Sequence, residues 1–163
     1  MFHRMSTILT LGEMTPAQTF AWSFLSDQVM GGLSRGAAAF EGEAIRLTGR
    51  VSTANRGGFI QVRAEVAALP EAAEGLVLRV RGTPQRYFLH LRTAAAARPW
   101  QFHQAAFEAT ENWRDVRLPF PAFEARGGAQ PDVPRPETVR SIGLAAYGRD
   151  HEADVSLAAV GLY

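Results

Sequence analysis

Apolar and polar residues alternate with period two over many short stretches of this chain, the pattern of half-buried β-strands. The stretches are residues 44–47, 59–64, 76–80, 87–91, 100–107, 113–118, 141–146 and 155–162. Breakers lie between them: Asn55-Arg56-Gly57-Gly58, Arg81-Gly82-Thr83-Pro84, Arg98-Pro99 and Gly127-Gly128. Helical signals are few. Residues 15–24 suit a single helical turn, and 94–97 read as a loop because Pro99 follows closely. Residues 126–136 carry three prolines and two glycines and read as a long connection around a sheet end. Many short strands separated by turns predict an all-β, antiparallel β-sandwich with less than about a fifth helix. The predicted core includes Leu76, Leu78, Val80, Leu89, Leu91, Leu118, Ile142 and Leu144.

The strands over 76–81 and 86–92 read as a hairpin joined by Gly82-Thr83-Pro84-Gln85. Leu76, Leu78 and Val80 share one face of the first strand, and Tyr87, Leu89 and Leu91 share one face of the second. Pairing these faces in one sheet would gather Arg79, Arg81, His90 and Arg92 on the opposite side. That side is either a solvated sheet surface or a recognition face. Neither strand supplies an acid, so Glu108 or Asp115 is the expected internal partner if no ligand serves.

Length and composition narrow the picture. A chain of 163 residues with 47% hydrophobic residues suits one domain, residues 1–163, with 1–15 as an N-terminal extension in which Met5 is an alternative start. No apolar run approaches the roughly 20 residues of a membrane-spanning helix. The first residues lack the long apolar stretch of a secretory signal, and the expectation is a cytoplasmic protein. Cysteine is absent, which excludes disulfides and thiol chemistry. All 17 basic residues are arginine, which excludes a Schiff-base lysine and a phosphate-loop lysine. A net charge of +1 gives no general pull toward nucleic acid.

One run is more specific. Ser26-Asp27-Gln28-Val29-Met30-Gly31-Gly32-Leu33-Ser34, after Trp22, resembles the opening motif of the complex I intermediate-associated protein family. Four further blocks resemble that family in order: Asn55-Arg56-Gly57-Gly58-Phe59 with Val62-Arg63; residues 75–82 with Arg86-Tyr87 and Leu91-Arg92-Thr93; residues 113–120 with Phe123; and residues 140–144. The resemblance runs from Trp22 to Tyr163. It implies a galactose-binding-like jelly roll. It also implies a chaperone-like role in assembling the respiratory NADH dehydrogenase complex, with assembly intermediates as protein partners.

The candidate binding residues are Asp27, Met30, Gly31, Gly32, Ser34, Asn55, Gly57, Gly58, Arg79, His90, Arg92 and Trp100. The two Gly-Gly pairs suit tight backbone geometry, and the side chains of Asp27 and Ser34 suit bonding to nearby N–H groups. Residues 27–34 are therefore expected to be ordered beside 55–59, with Gly31 and Gly57 in strained turns. Gly32-Leu33-Ser34-Arg35-Gly36 also matches the nucleophile-elbow pattern Gly-x-Ser-x-Gly, but the strand before it and the helix after it are missing, so no catalysis is expected. His3, His90, His103 and His151 lack metal-ligand spacing, and neither a metal nor a cofactor is expected; His90 and His103 read first as ordinary half-exposed sheet residues, with a facing pair across adjacent strands as the alternative. Trp22 and Trp113 read as core, and Trp100 as exposed. The rival to a protein-binding role is a carbohydrate- or small-anion-binding module on the same sandwich, built on the Arg79, His90 and Arg92 face or on the 27–34 loop.

Overall fold

A computed structural model describes residues 6–163. The strands are β1 (Met14–Pro16), β2 (Trp22–Ser26), β3 (Arg35–Glu41), β4 (Ala44–Val51), β5 (Phe59–Glu65) and β6 (Gly75–Gly82). They continue with β7 (Arg86–Thr93), β8 (Phe102–Glu108), β9 (Arg114–Pro119), β10 (Glu124–Arg126), β11 (Val139–Tyr147) and β12 (His151–Leu162). The described helical segments are short 3-10 turns, one of them at Ala17–Thr19 within the stretch expected to hold a helical turn. His3 and Met5 lie outside the described residues.

Two antiparallel sheets pack face to face. The first runs β3-β4-β12-β6-β9, with β1 also paired to β12. The second runs β10-β8-β7-β11-β5-β2. All eight predicted strands are present, and every predicted core residue is buried. The two sheets close on Leu47, Leu76, Leu78, Val80 and Leu157 from one side and on Ile60, Val62, Leu89, Leu91, Ile142 and Leu144 from the other. The long strand β12 keeps its core face through a register shift between Leu157 and Ala159 against β6. An extra residue there moves the inward set from Val155 and Leu157 to Val160 and Leu162. Among the described residues no helix is long and apolar enough to cross a membrane.

The expected hairpin of β6 with β7 does not exist. β6 pairs with β12 and β9 in the first sheet, whereas β7 pairs with β11 and β8 in the second. Residues 83–85 cross from one sheet to the other. The two leucine faces do meet, but across the core rather than within one sheet. Period-two alternation fixes which face points inward and leaves the strand's neighbour open. Arg79 and Arg81 therefore leave the molecule on one side, and His90 and Arg92 on the other.

Register rules out the facing-histidine alternative, and exposure overturns the core reading of Trp113. β7 and β8 pair with Leu91 opposite His103 and His90 opposite Gln104, so the two histidines point to different faces. Trp113 is exposed, with the Arg81 guanidinium 4.6 Å from its ring centre. Trp22 is half-buried against the core, and its Nε1 donates to the Ala17 carbonyl at 2.8 Å.

Candidate functional site

The segment 27–34 connects β2, at the edge of the second sheet, to β3, at the edge of the first. It is built around one carboxylate. Asp27 is fully buried, and its Oδ1 accepts the Ser34 N–H at 3.0 Å. Its Oδ2 accepts the Ser34 hydroxyl at 2.6 Å, the Gly58 N–H at 2.6 Å and the Phe59 N–H at 3.3 Å. Burial pushes this carboxyl's pKa up, but these hydrogen bonds outweigh burial and hold it below its ordinary value. The Ser34 Oγ in turn accepts the Ser52 N–H at 2.9 Å, and Gln28 Nε2 donates to the Ser34 carbonyl at 2.9 Å. Asn55 Nδ2 donates to the Gly31 carbonyl at 3.3 Å. The expected closeness of 27–34 to 55–59 is thus present, with Asp27 as the tie.

The four glycines have different reasons. Gly31 ends a 3-10 turn in the left-handed region at φ +83°, with open space where a side chain would stand. Gly58 also has positive φ, +138°. Gly32 and Gly57 instead lie directly against the Asp27 side chain, where a Cβ on either would overlap it. Gly57 has an ordinary φ of −79°, so the strained turn expected there is a matter of space and not of backbone conformation. The backbone strain falls on Asn55 and Arg56, with φ of 56° and 62°. Asparagine tolerates that conformation better than most residues.

Ser34 is fully buried and its hydroxyl is held within the loop by Asp27 and Ser52. No described histidine bonds to it: His90 meets Gln61 and Gln104, His103 the Pro131 carbonyl and His151 the Arg149 carbonyl. The chain leaves Ser34 into a strand, not a helix, so the Gly-x-Ser-x-Gly match is not a nucleophile elbow.

While the polar residues of the motif turn inward, its apolar residues turn outward. Val29 is 79% exposed, Met30 57% and Leu33 55%. The loop thus presents three large apolar side chains from a backbone fixed on both flanks.

The remaining candidates do not form the expected face. Arg79 donates from Nε to Asp115 Oδ1 at 3.0 Å, the internal pairing that the sequence allowed. Arg92 donates to the carbonyls of Gln101 and Arg98 and so braces the loop before β8. Trp100 sits in that loop and is exposed, as expected.

His90 belongs instead to a row that the sequence did not reveal, on the outer face of the second sheet. Gly143, His90, Gln104 and Glu124 are successive register partners on β11, β7, β8 and β10. Gln61 on β5 reaches over Gly143, where any Cβ would meet its side chain, to place Nε2 3.2 Å from His90 Nδ1. His90 Nε2 lies 3.2 Å from Gln104 Oε1, and its ring stacks on Phe102 with centres 4.3 Å apart. Burial holds this histidine down to a pKa of about 3, against an upward pull from the Gln104 hydrogen bond and with the Arg63 charge adding to the depression. Beside the row lies a groove of about 780 Å³ lined by Phe88, Gln104, Glu108, Glu124, Arg126 and Tyr147 among others.

Comparison with solved structures returns the same sandwich. The family 11 carbohydrate-binding module of the cellulosomal cellulase Lic26A-Cel5E of Clostridium thermocellum is similar over 94% of this chain and 95% of its own, with TM-score 0.73 and 11% identity. The family 11 module from Clostridium thermocellum in complex with a β-1,3-1,4-mixed-linked tetrasaccharide is similar over 86% of this chain and 87% of its own, with TM-score 0.67 and 11% identity. No curated protein matches the sequence. The family model for Complex I intermediate-associated protein 30 (CIA30) matches residues 13–158 and so takes in the Asp27 loop, the row through His90 and nearly all of both sheets. The chain belongs to the complex I intermediate-associated protein 30 family.

Proposed function

We propose that this protein works by binding and not by catalysis, as a chaperone-like assembly factor that holds an apolar segment of a respiratory complex I intermediate on the loop 27–34. The supporting observation is the display of Val29, Met30 and Leu33 on a loop whose backbone is tied by the buried Asp27 carboxylate. Large apolar side chains gain free energy by leaving water, and a loop ordered beforehand loses little entropy on docking. Family membership supports the complex I assignment. In this reading the protein works from the cytoplasmic side and needs no cofactor or metal. The test is affinity capture from the native cell with the wild type and with the triple variant Val29→Ser, Met30→Ser, Leu33→Ser. Complex I subunits should be enriched by the first and lost by the second. Equal enrichment by both would remove the loop from the account.

A second reading, a glycan-binding module, is favoured by the groove on the second sheet. Its lining mixes aromatic rings with two acid–arginine pairs and Arg149, a largely balanced surface rich in hydrogen-bonding groups that suits a polyhydroxylated ligand. The similar Clostridium thermocellum module bound to a tetrasaccharide lends this reading its ligand class.

A further inference from the structure

The hydrogen bonds of the buried row have a direction. Arg63 Nε donates to Gln61 Oε1 at 3.3 Å, so the other end of that amide, its NH2, faces His90. His90 Nδ1 must then accept, and the neutral ring carries its proton on Nε2. That proton goes to Gln104 Oε1, and the amide NH2 of Gln104 ends the chain. Gln104 is 6% exposed as a residue, but its Nε2 bonds no acceptor among the described residues and is not one of the fully buried unpaired atoms, so the NH2 opens to the groove that Gln104 lines. An NH2 held at the surface of a groove is free to donate to water or to a ligand that displaces it. Glu124 stands in direct register with Gln104 on β10, and both line the groove.

We propose that Gln104 Nε2 and the Glu124 carboxylate form a donor–acceptor pair that takes one hydroxyl of a neutral glycan, with Phe88 and Tyr147 against its apolar faces. This rests on the second reading above and assigns its contact. A hydroxyl both donates and accepts, so a fixed NH2 beside a carboxylate meets both of its needs. Phe88 and Tyr147 are half-buried and set edge to face at 5.7 Å, which offers ring surface without collapse onto itself. Of the three arginines that line the groove, Arg86 lies 3.5 Å from Glu108 and Arg126 lies 3.4 Å from Glu124, while Arg149 donates to the neutral Gln85 Oε1 at 2.6 Å. Two of the three cations are thus paired with acids, and Arg149 is the one groove-lining arginine without a carboxylate among the described residues. The row behind Gln104 fixes which end of its amide faces outward and so selects a hydroxyl oxygen.

The test is titration of the full chain, followed by NMR, with three neutral probes: the β-1,3-1,4-mixed-linked glucan tetrasaccharide, mannotetraose and galactotetraose. At least one should bind at millimolar concentration or tighter and shift the Gln104 side-chain NH2 signals. Gln104→Glu keeps an oxygen toward His90 but removes the NH2, and should weaken that probe about tenfold, as for loss of one hydrogen bond. Binding that Gln104→Glu leaves unchanged would overturn this pair while leaving the glycan reading standing. No binding of any probe by the wild type would overturn both. Should the variant melt early, nuclear Overhauser contacts between the bound probe and the wild-type Gln104 NH2 decide instead, and their absence overturns the pair.

Discussion

Asp27 Oδ2 and the Gly58 N–H lie 2.6 Å apart across 31 residues of chain, the closest of the bonds that close the family's first motif onto its second. One buried acid thereby sets the position of both Gly-Gly segments. Asp27→Asn should cost about 3 kcal/mol, because an amide removes the charge-assisted bonds and turns a donor toward donors. The pH dependence has a definite sign. The folded-state pKa lies below the ordinary 3.8, so the stabilisation is full above that value and is lost as pH falls through the lowered pKa. Denaturant melts should show the gap between wild type and variant narrowing in acid. A gap that stays constant with pH would contradict the charged state of Asp27.

The glycines separate space from backbone conformation. Gly57→Ala and Gly32→Ala each place a Cβ on the Asp27 side chain and should cost about 3 kcal/mol by breaking its bonds. Gly31→Ala meets open space and should cost about 1 kcal/mol, the conformational penalty of a left-handed position. Chemical denaturation of the three variants checks the order, and Gly31→Ala as the most damaging would refute it.

His90 should stay neutral from about pH 5 to 8. Its folded-state pKa, about 3, lies below the ordinary 6.5, so stability from this site is full above 6.5 and declines as pH falls toward 3. Carbon-13 NMR of the ring checks this, and a midpoint near 6.5 would contradict the buried row. Gly143→Ala should push Gln61 away from Nδ1 and cost about 1–3 kcal/mol. The ring tautomer, read by nitrogen-15 shifts, should then no longer be fixed.

Much of the fold was legible because burial and alternation coincide. Eight strands announce themselves, and the inward leucines of β6 and β7 were read correctly even though their pairing was not. β3 was missed because Arg35-Gly-Ala-Ala-Ala-Phe-Glu41 is an edge strand exposed along nearly its whole length, with no apolar face to alternate. β2 was missed because Phe24 remains exposed and the short strand ends at the loop. The 27–34 loop was found through its paired glycines and its family motif. The row of Gln61, His90 and Gln104 left no such trace, since its members come from three strands and only the sheet order makes them neighbours. Ordinary strand residues become a site there through register alone.

Replacing Val29, Met30 and Leu33 with serine tests the central claim most directly, because these side chains are exposed and the bonds of Asp27 do not depend on them. The folded state should keep its stability to within about 0.5 kcal/mol, as for surface substitutions generally. Quantitative affinity capture from the native cell should then recover complex I subunits with the wild type and not with the triple variant. Recovery of the same subunits at the same level by both proteins, with both equally stable, would contradict the account.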